Sequence, residues 1–143
     1  MVSNRQANEL GNPSVVLTVL LDTHILIWSM VEPDRLSRSA RLIIENSGNR
    51  ILISAAVAWE LAIKLKTGKI KPPSLVDRLH ASLDRALFSE LPITIEHATR
   101  SGLLPLHHRD PFDRLLVAQA LTLGIPIISA DTLLEKYGVE RIE

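Results

Sequence analysis

Short apolar runs that alternate with helix-forming segments constrain the fold of this 143-residue sequence more than any other feature. Three of the runs read VVLTVLLD, RILIS and IPIISAD, and each leads into a segment with helical spacing of apolar residues. This alternation is typical of an α/β fold with a mainly parallel central sheet flanked by helices. Because the sequence has no repeats, low-complexity tracts or linker, we predict a single domain over residues 15–143.

Turn and capping residues divide this domain into predicted elements. Gly48, Gly68 and Gly124 each follow a helical pattern and indicate where a helix ends. Ser74 is predicted to cap the helix that follows it. The predicted strands are 15–22, 50–54, 91–94, 125–129 and, at the edge of the sheet, 139–142. The predicted helices are 23–31, 37–46, 55–67, 74–88, 96–104, 111–123 and 133–137.

The composition excludes several classes of site and location. The absence of cysteine excludes disulfides and thiolate-bound zinc or iron–sulfur centres. The 16 basic and 16 acidic residues cancel, so a polyanion would have to meet a local basic patch. No apolar stretch reaches the roughly 18 residues of a membrane span, and residues 1–14 lack the apolar region of a secretory signal. We therefore expect a cytoplasmic protein with no membrane association and a flexible polar N-terminal tail over residues 1–14.

Four acidic residues occupy positions that folding alone does not explain. Asp22 and Asp131 follow predicted strands, Glu60 interrupts an apolar helical pattern, and Asp113 lies just inside a helix start. In a parallel sheet, strand ends of one polarity and the adjacent helix starts gather at one edge. At an effective dielectric constant of ~20, two carboxylates a few ångströms apart repel each other by roughly 3 kcal/mol. Such a cluster persists if protons or a bound cation neutralise it, and we favour the cation.

Three of these acids also have a structural explanation, which stays open from sequence alone. Asp22 and Asp131 each suit the N-cap of a following helix. Glu60 suits an exposed ion pair with Lys64 at i+4, worth about 0.2–0.5 kcal/mol.

The helix start at Pro111 contains two acids with different explanations. Asp110 suits the N-cap, and capping explains it almost completely. Asp113 occupies the third helical position, where capping explains it less well, and it faces the edge at which the strands end. We therefore predict Asp113 as a metal ligand in preference to Asp110.

The donor types favour a hard cation. Carboxylate oxygens without cysteine favour Mg²⁺ or Mn²⁺ over zinc. The five histidines show no HExxH or similar spacing. We predict that His107 and His108 are loop residues that flank the site, where one could contact a substrate. The sequence has no GxSxG, P-loop or GxGxxG motif, which disfavours triad hydrolases and nucleotide-binding folds.

Four motifs together resemble a known family. They read LLDTHILIW, AAVAWELAIKLKTGKI, LHHRDPFDRLLVAQA and IISADTLLEKYGV. In this order they resemble PIN domains of the VapC toxin type over about residues 16–142. The resemblance implies a single PIN-like domain and a ribonuclease that depends on Mg²⁺ or Mn²⁺. It also implies a toxin–antitoxin pair, inhibition by a cognate VapB-like antitoxin, and a homodimer.

The resemblance assigns roles to particular residues. Asp22, Glu60, Asp113 and Asp131 correspond to the four acids of the family, as catalytic residues and metal ligands, with Asp110 assisting. The implied reaction is hydrolysis of an RNA phosphodiester by water that a metal ion activates. The candidate phosphate contacts are Lys64, Lys66, Lys69, Lys71, Arg109 and Arg114.

The apolar residues outside the strands have two open explanations. The helix predicted at 74–88 carries a leucine stripe, formed by Leu75, Leu79, Leu83 and Leu87. This stripe fits core packing, or, with the first two helices, a groove for an antitoxin helix. Because the chain has five aromatic side chains, we expect base stacking to contribute little to RNA binding. We predict Trp28 and Trp59 in the core.

Three other functions fit parts of the pattern. A metal-dependent phosphatase that uses an aspartate usually has a second Asp two residues after the strand-end Asp, and here the sequence continues Thr23-His24-Ile25. A receiver-like module with an acidic pocket would need a lysine after a late strand, which IPIISAD does not provide. A degenerate PIN domain that serves only as a scaffold would not need the complete set of acids.

Overall fold

The computed structural model of the protein describes residues 16–143. The predicted tail over residues 1–14 lies outside the described residues. One sheet has the strand order β3–β2–β1–β4–β5, and every neighbouring pair is parallel. The strands are β1 Thr18–Leu21, β2 Arg50–Ser54, β3 Ser89–Leu91, β4 Ile127–Ile128 and β5 Arg141–Ile142. The predicted α/β fold with a mainly parallel sheet is confirmed.

Helices connect these strands. The α-helices of residues 16–143 are α1 Thr23–Val31, α2 Arg38–Glu45, α3 Ala55–Lys66, α4 Leu75–Asp84, α5 Ile95–Leu103 and α6 Pro111–Leu123. Two 3-10 helices span Pro33–Arg35 and Thr132–Tyr137. Helix α6 begins at Pro111, whose missing N–H is not needed in a first turn. It ends at Leu123, and Gly124 follows as the C-cap with φ 66°. In the part of the chain that the structure describes, no helix has both the length and the apolar character that crossing a membrane requires.

Strand β1 forms the centre of the core. Val19, Leu20 and Leu21 have no exposed surface. Leu20 is paired with Leu52 of β2 and with Ile127 of β4. Apolar residues of α1, α3 and α6 join the same buried cluster. Because the chain leaves this core directly after Leu21, the next residue stands at the edge of the sheet with little freedom to move.

Most elements differ from their predicted bounds by a few residues, and two of these differences have a clear backbone feature beside them. Strand β3 ends at Leu91 instead of beginning there, because Pro92 has no N–H to donate to a neighbouring strand. Helix α4 ends at Asp84 instead of residue 88, and the backbone turns at Ala86 with φ 58°. The predicted cap at Ser74 is wrong, because its side chain makes no capping hydrogen bond.

The leucine stripe is divided between the core and the surface. Leu75 and Leu79 are buried in the core cluster. Leu87 lies beyond the end of α4 and is 62% exposed. Core packing therefore explains the first half of the stripe and leaves its end available for contacts.

The predicted core position of Trp59 is wrong. This residue is 62% exposed, and its ring meets that of Phe112 edge to face, with 5.2 Å between the ring centroids. Trp28 is partly buried against the core, and the guanidinium carbon of Arg35 lies 4.5 Å from its ring centroid. Trp59 lies on the outer side of α3, opposite the buried Leu61. Because the sequence of α3 is apolar on most sides, its helical pattern does not show which side faces outward.

Two alanine substitutions in α3 should therefore have different effects on stability. Trp59→Ala should lower the free energy of unfolding by about 1 kcal/mol, because it removes mainly the contact with Phe112. Leu61→Ala, the matched control, should lower it by about 3 kcal/mol because it leaves a cavity in the core. Urea denaturation followed by circular dichroism measures both values. An equal loss for the two variants would contradict the outward position of Trp59.

Candidate active site

The candidate site lies at the edge of the sheet where β1 and β4 end. From β1 the chain continues to β2 on one side, whereas β4 lies on the other side, so the strand order changes direction here. Ligands of open α/β sheets bind at such positions. Asp22 is the first residue after β1, and its backbone N–H donates to the carbonyl of Ile128 at 3.2 Å. Ser129 is the first residue after β4, and its hydroxyl donates to the Asp22 carboxylate.

Asp22 combines a capping role with burial. Its Oδ1 accepts the backbone N–H of Ile25 at 2.9 Å, so the predicted N-cap role is confirmed. Burial is the main reason that the pKa of this carboxyl is raised. The hydrogen bonds from Ser129 and Ile25 oppose the rise, and the charge of Glu60 adds to it. Capping therefore explains the position of Asp22 without removing the cost of its charge.

Glu60 reaches the same edge from α3. It is 4% exposed, so the structural alternative of an ion pair on the protein surface does not hold. The predicted i+4 pair does exist, because Lys64 Nζ lies 2.7 Å from Glu60 Oε2. The hydroxyl of Thr23 donates to the other carboxylate oxygen. Glu60 is thus a buried carboxylate that is partly compensated by one cation and one hydroxyl.

The two acids at the start of α6 have different roles, because Asp110 caps the helix and Asp113 does not. Asp110 Oδ1 accepts the backbone N–H of Phe112 at 2.8 Å and that of Asp113 at 3.4 Å. The predicted N-cap role of Asp110 is therefore confirmed. Asp113 makes no cap, and its side chain is 21% exposed.

Asp113 is the acid whose charge the protein compensates least. The pKa of its carboxyl is raised to about 7, mainly by burial and next by the charge of Asp110. His108 opposes this rise, and the charges of Asp22 and Glu60 add to it. Within residues 16–143, His108 is the one side chain in ion-pair contact with Asp113, with 3.3 Å between Nε2 and Oδ2. The structure therefore brings the acids that follow β1 and lie in α3 and α6 into one interacting cluster.

Asp131 joins this cluster through His108. Its Oδ1 accepts the backbone N–H of Leu133 at 3.0 Å, which confirms the predicted cap of the last helix. Its Oδ2 lies 2.7 Å from His108 Nε2. One ligand atom each from His108, Asp113 and Asp131 lies within 4.8 Å of the others, as in groups that hold a metal ion. Together, Asp22, Glu60, Asp113 and Asp131 are called the acid cluster below.

Sequence reasoning underestimated His108. It was predicted as a loop residue that flanks the site, whereas its ring lies between two of the predicted acids. The available signal was its position two residues before the Asp110 N-cap, which ties a loop residue to the start of α6. His107 fits the prediction better, because it is exposed and its ring contacts Tyr137.

The donor set of the acid cluster fits a hard divalent cation. Its donors are carboxylate oxygens, the ligand type that Mg²⁺ and Mn²⁺ prefer. The raised pKa values of Asp22 and Asp113 indicate that ionised carboxyls are disfavoured at this edge in the metal-free protein. A cation in contact with them would favour the ionised form.

The predicted phosphate contacts differ in availability. Arg114 is engaged elsewhere, because its Nη2 donates to the carbonyls of Ser101 and Leu104 at 3.1 and 2.9 Å. Lys64 is paired with Glu60. The remaining candidates are exposed: Lys66, Lys69, Lys71 and Arg109.

Comparison with known proteins agrees with this architecture. The family described as PIN domain matches residues 19–140 of the chain. Ribonuclease VapC22 of Mycobacterium tuberculosis is 30% identical over 136 residues, which cover 87% of this chain and 95% of that protein. The resemblance inferred from the four motifs is thereby confirmed.

Solved structures share the fold at lower identity. VapBC2 from Rickettsia felis, bound to a DNA fragment from its promoter, matches with a TM-score of 0.63 and 17% identity, covering 88% of this chain and 98% of that chain. FitAcB from Neisseria gonorrhoeae matches with a TM-score of 0.60 and 20% identity, covering 87% and 96%. A toxin–antitoxin complex from Klebsiella pneumoniae matches with a TM-score of 0.57 and 23% identity, covering 80% and 87%. With the sequence matches above, these likenesses lead to one conclusion: the chain belongs to the PIN domain family.

Proposed function

We propose that this protein is a VapC-type ribonuclease that depends on Mg²⁺ or Mn²⁺ and acts as the toxin of a toxin–antitoxin pair. Membership of the PIN domain family and the 30% identity to Ribonuclease VapC22 support the ribonuclease activity. The proposed metal dependence rests mainly on the surroundings of the Asp113 carboxyl. Its carboxyl is buried beside other acids, its pKa is raised to about 7, and its one ion-pair partner within residues 16–143 is a histidine.

The proposed metal ligands are members of the acid cluster. Asp22, Glu60 and Asp113 would hold the cation, and Asp131 would complete the set, with Asp110 assisting by fixing the start of α6. A bound divalent cation lowers the pKa of a water molecule and stabilises negative charge on phosphoryl oxygens. The contribution of the chain is a set of carboxylates held by the ends of β1 and β4, by the middle of α3 and by the first turn of α6.

Other side chains at this edge would hold the RNA. Lys64 lies beside Glu60, where its ammonium could also meet a phosphate oxygen. Arg109 is exposed and directly precedes the Asp110 cap. Contacts of this kind bind the backbone regardless of base sequence and weaken as the salt concentration rises.

The alternative functions receive less support. A phosphatase of the aspartate type would need an acid two residues after Asp22, where this chain has the exposed His24. A receiver-like module would need a lysine near β4, and β4 is followed by Ser129 and Asp131. Neither alternative uses Glu60, which the fold buries at the same edge.

A groove beside α4 is our candidate for the antitoxin contact. It encloses about 330 Å³ between the end of α1 and α4, and it includes the exposed Leu87. Apolar side chains with arginines suit an amphipathic helix that carries acidic residues. The lining residues are Ser29, Met30, Arg78, Ala81, Ser82, Arg85, Leu87 and Phe88. The homodimer that the resemblance implies stays a prediction.

Purified protein should cleave RNA in the presence of Mg²⁺ or Mn²⁺ and lose this activity with EDTA. Asp113→Asn should reduce cleavage by at least about 100-fold, because it removes a proposed metal ligand. The same change should raise the free energy of unfolding at pH 8 by about 1–3 kcal/mol, because it removes a buried charge. Gel analysis of a labelled RNA and urea denaturation measure the two effects.

The matched control for this substitution is Asp77→Asn, which changes an exposed acid in the first turn of α4. It should leave both cleavage and stability near wild-type values. If Asp113→Asn cleaves RNA at the wild-type rate, Asp113 is not a ligand. Turnover of small phosphate esters without RNA cleavage would instead support the phosphatase alternative.

The stability of the metal-free protein should decrease as the pH rises from about 4 to about 7. The folded protein keeps the Asp113 proton up to a pKa of about 7, whereas the unfolded chain loses it near 3.8. The folded state therefore binds more protons in this window, and the free energy of unfolding falls with pH. Thermal melts with EDTA should show this slope, and Asp113→Asn should reduce it. Added Mg²⁺ should restore stability at pH 8. If Asp113→Asn shows the same dependence of stability on pH as the wild type, the raised pKa does not belong to Asp113.

A substitution in the groove should abolish inhibition by the antitoxin and leave RNA cleavage intact. Leu87→Asp should still arrest growth when expressed, because Leu87 is remote in sequence from the acid cluster and exposed. Co-expression of the neighbouring reading frame should relieve arrest by the wild type and by the control Leu103→Asp, which changes another exposed leucine. It should not relieve arrest by Leu87→Asp. Full relief in all three strains would exclude the groove as the contact.

A further inference from the structure

The hydrogen bonds of His108 define the form of its ring. The backbone N–H of Asp110 donates to His108 Nδ1 at 3.0 Å. Nδ1 therefore carries no proton, and the ring proton lies on Nε2. A protonated Nε2 donates a hydrogen bond and offers no lone pair to a metal ion. In this arrangement His108 acts as a donor at the acid cluster, even though its distances resemble those of a ligand.

The Nε2 atom of His108 lies beside two carboxylates from different elements, and it donates its hydrogen bond to the nearer one, Asp131. Asp131 Oδ2, after β4, lies 2.7 Å away, and Asp113 Oδ2, in α6, lies 3.3 Å away. The His108 side chain is 14% exposed, so water competes little for this proton. The His108 ring thus stands between two acids that would otherwise repel each other.

The loop that carries His108 is fixed from a third element. The hydroxyl of Tyr137 accepts the backbone N–H of His107 at 3.1 Å and that of His108 at 2.8 Å. The rings of His107 and Tyr137 also meet, with 5.0 Å between their centroids. The imidazole ring is therefore fixed at Nδ1 by the start of α6, and the backbone that carries it is fixed by Tyr137.

We propose that His108 is a positioning residue that holds Asp113 and Asp131 at a common point, so that the acid cluster is preorganised for a divalent cation. This inference rests on the proposed function for the identity of the bound group. Asp131 accepts hydrogen bonds at both oxygens, from Leu133 and from His108, so its orientation is defined before any ion binds. Asp113 has fewer partners and keeps more capacity for the cation. Asp131 is thus the acid whose orientation is fixed, and Asp113 is the acid left to bind the cation.

The position of the ring proton can be measured in the metal-free protein. Long-range ¹H–¹⁵N correlation spectra distinguish a protonated ring nitrogen from an unprotonated one. We expect a protonated Nε2 and an unprotonated Nδ1 for His108 at pH 8, assigned by loss of the signal in His108→Gln. A proton on Nδ1 would overturn the proposal, because the ring could then coordinate a cation through Nε2.

Metal binding tests the positioning role. Mn²⁺ binding, followed by electron paramagnetic resonance, should weaken by about 10–100-fold in His108→Leu, the usual effect of removing a group that orients a ligand. His108→Gln should retain most of the affinity because its amide can donate from a similar position. Tyr137→Phe should give an intermediate loss, because it frees the loop and keeps the ring contact.

A histidine outside this loop provides a matched control. His80→Leu makes the same chemical change at an exposed position of α4 and should bind Mn²⁺ like the wild type. Circular dichroism should show that all variants are folded. In RNA cleavage, His108→Leu should need more Mn²⁺ for half-maximal rate and approach the wild-type rate at saturation. Unchanged or tighter Mn²⁺ binding by folded His108→Leu would overturn the proposal.

Failure of the proposed function gives a different pattern. If the wild-type protein neither binds Mn²⁺ nor cleaves RNA, the proposed function is wrong. The positioning role of His108 then has no cation to serve and is wrong as well. Wild-type protein that binds Mn²⁺ and cleaves RNA, together with an unaffected His108→Leu, would remove only the role of His108.

Discussion

Repulsion among carboxylates buried at one edge of a parallel sheet is the constraint on which the rest of this structure depends. Asp22, Glu60 and Asp131 each accept hydrogen bonds or an ion pair from two neighbouring groups. The carboxylate of Asp113 has one ion-pair contact within residues 16–143, with His108, and its pKa is raised to about 7. Asp113 is therefore the acid of this cluster whose charge is compensated least, and a proton or a cation would neutralise it. Under the proposed function, this carboxylate is the main reason to expect a divalent cation here.

The fold brings these carboxylates together and also holds them in place against their repulsion. Parallel strands place β1 and β4 side by side, so the residues that follow them, Asp22 and Ser129, must meet. Helices α3 and α6 then bring Glu60 and Asp113 to the same edge. Because the last three residues of β1 are fully buried, the end of this strand has little freedom to move away. The stability of the hydrophobic core thus supports an arrangement of charges that is unfavourable by itself.

Sequence reasoning was most successful where a single local signal decides the structure. The limits of α6 followed from Pro111 and Gly124, and the strand β2 had its predicted bounds. It was less successful where the answer depends on a distant element. The outward position of Trp59 depends on how α3 packs, and the bridging role of His108 depends on a turn that follows β4. The four acids could be selected by their positions at strand ends and helix starts, but their burial and remaining partners required coordinates.

The pKa of Asp113, measured in the metal-free protein and again with saturating Mg²⁺, tests this account most directly. Carboxyl ¹³C shifts of selectively labelled protein, followed across a pH titration, report this value. The account predicts a pKa of about 7 without metal, caused mainly by burial and neighbouring charge. With Mg²⁺ it predicts ionisation at a much lower pH. An ordinary aspartate pKa in the metal-free protein, or a value that Mg²⁺ leaves unchanged, would contradict the claim that uncompensated charge at this edge prepares a cation site.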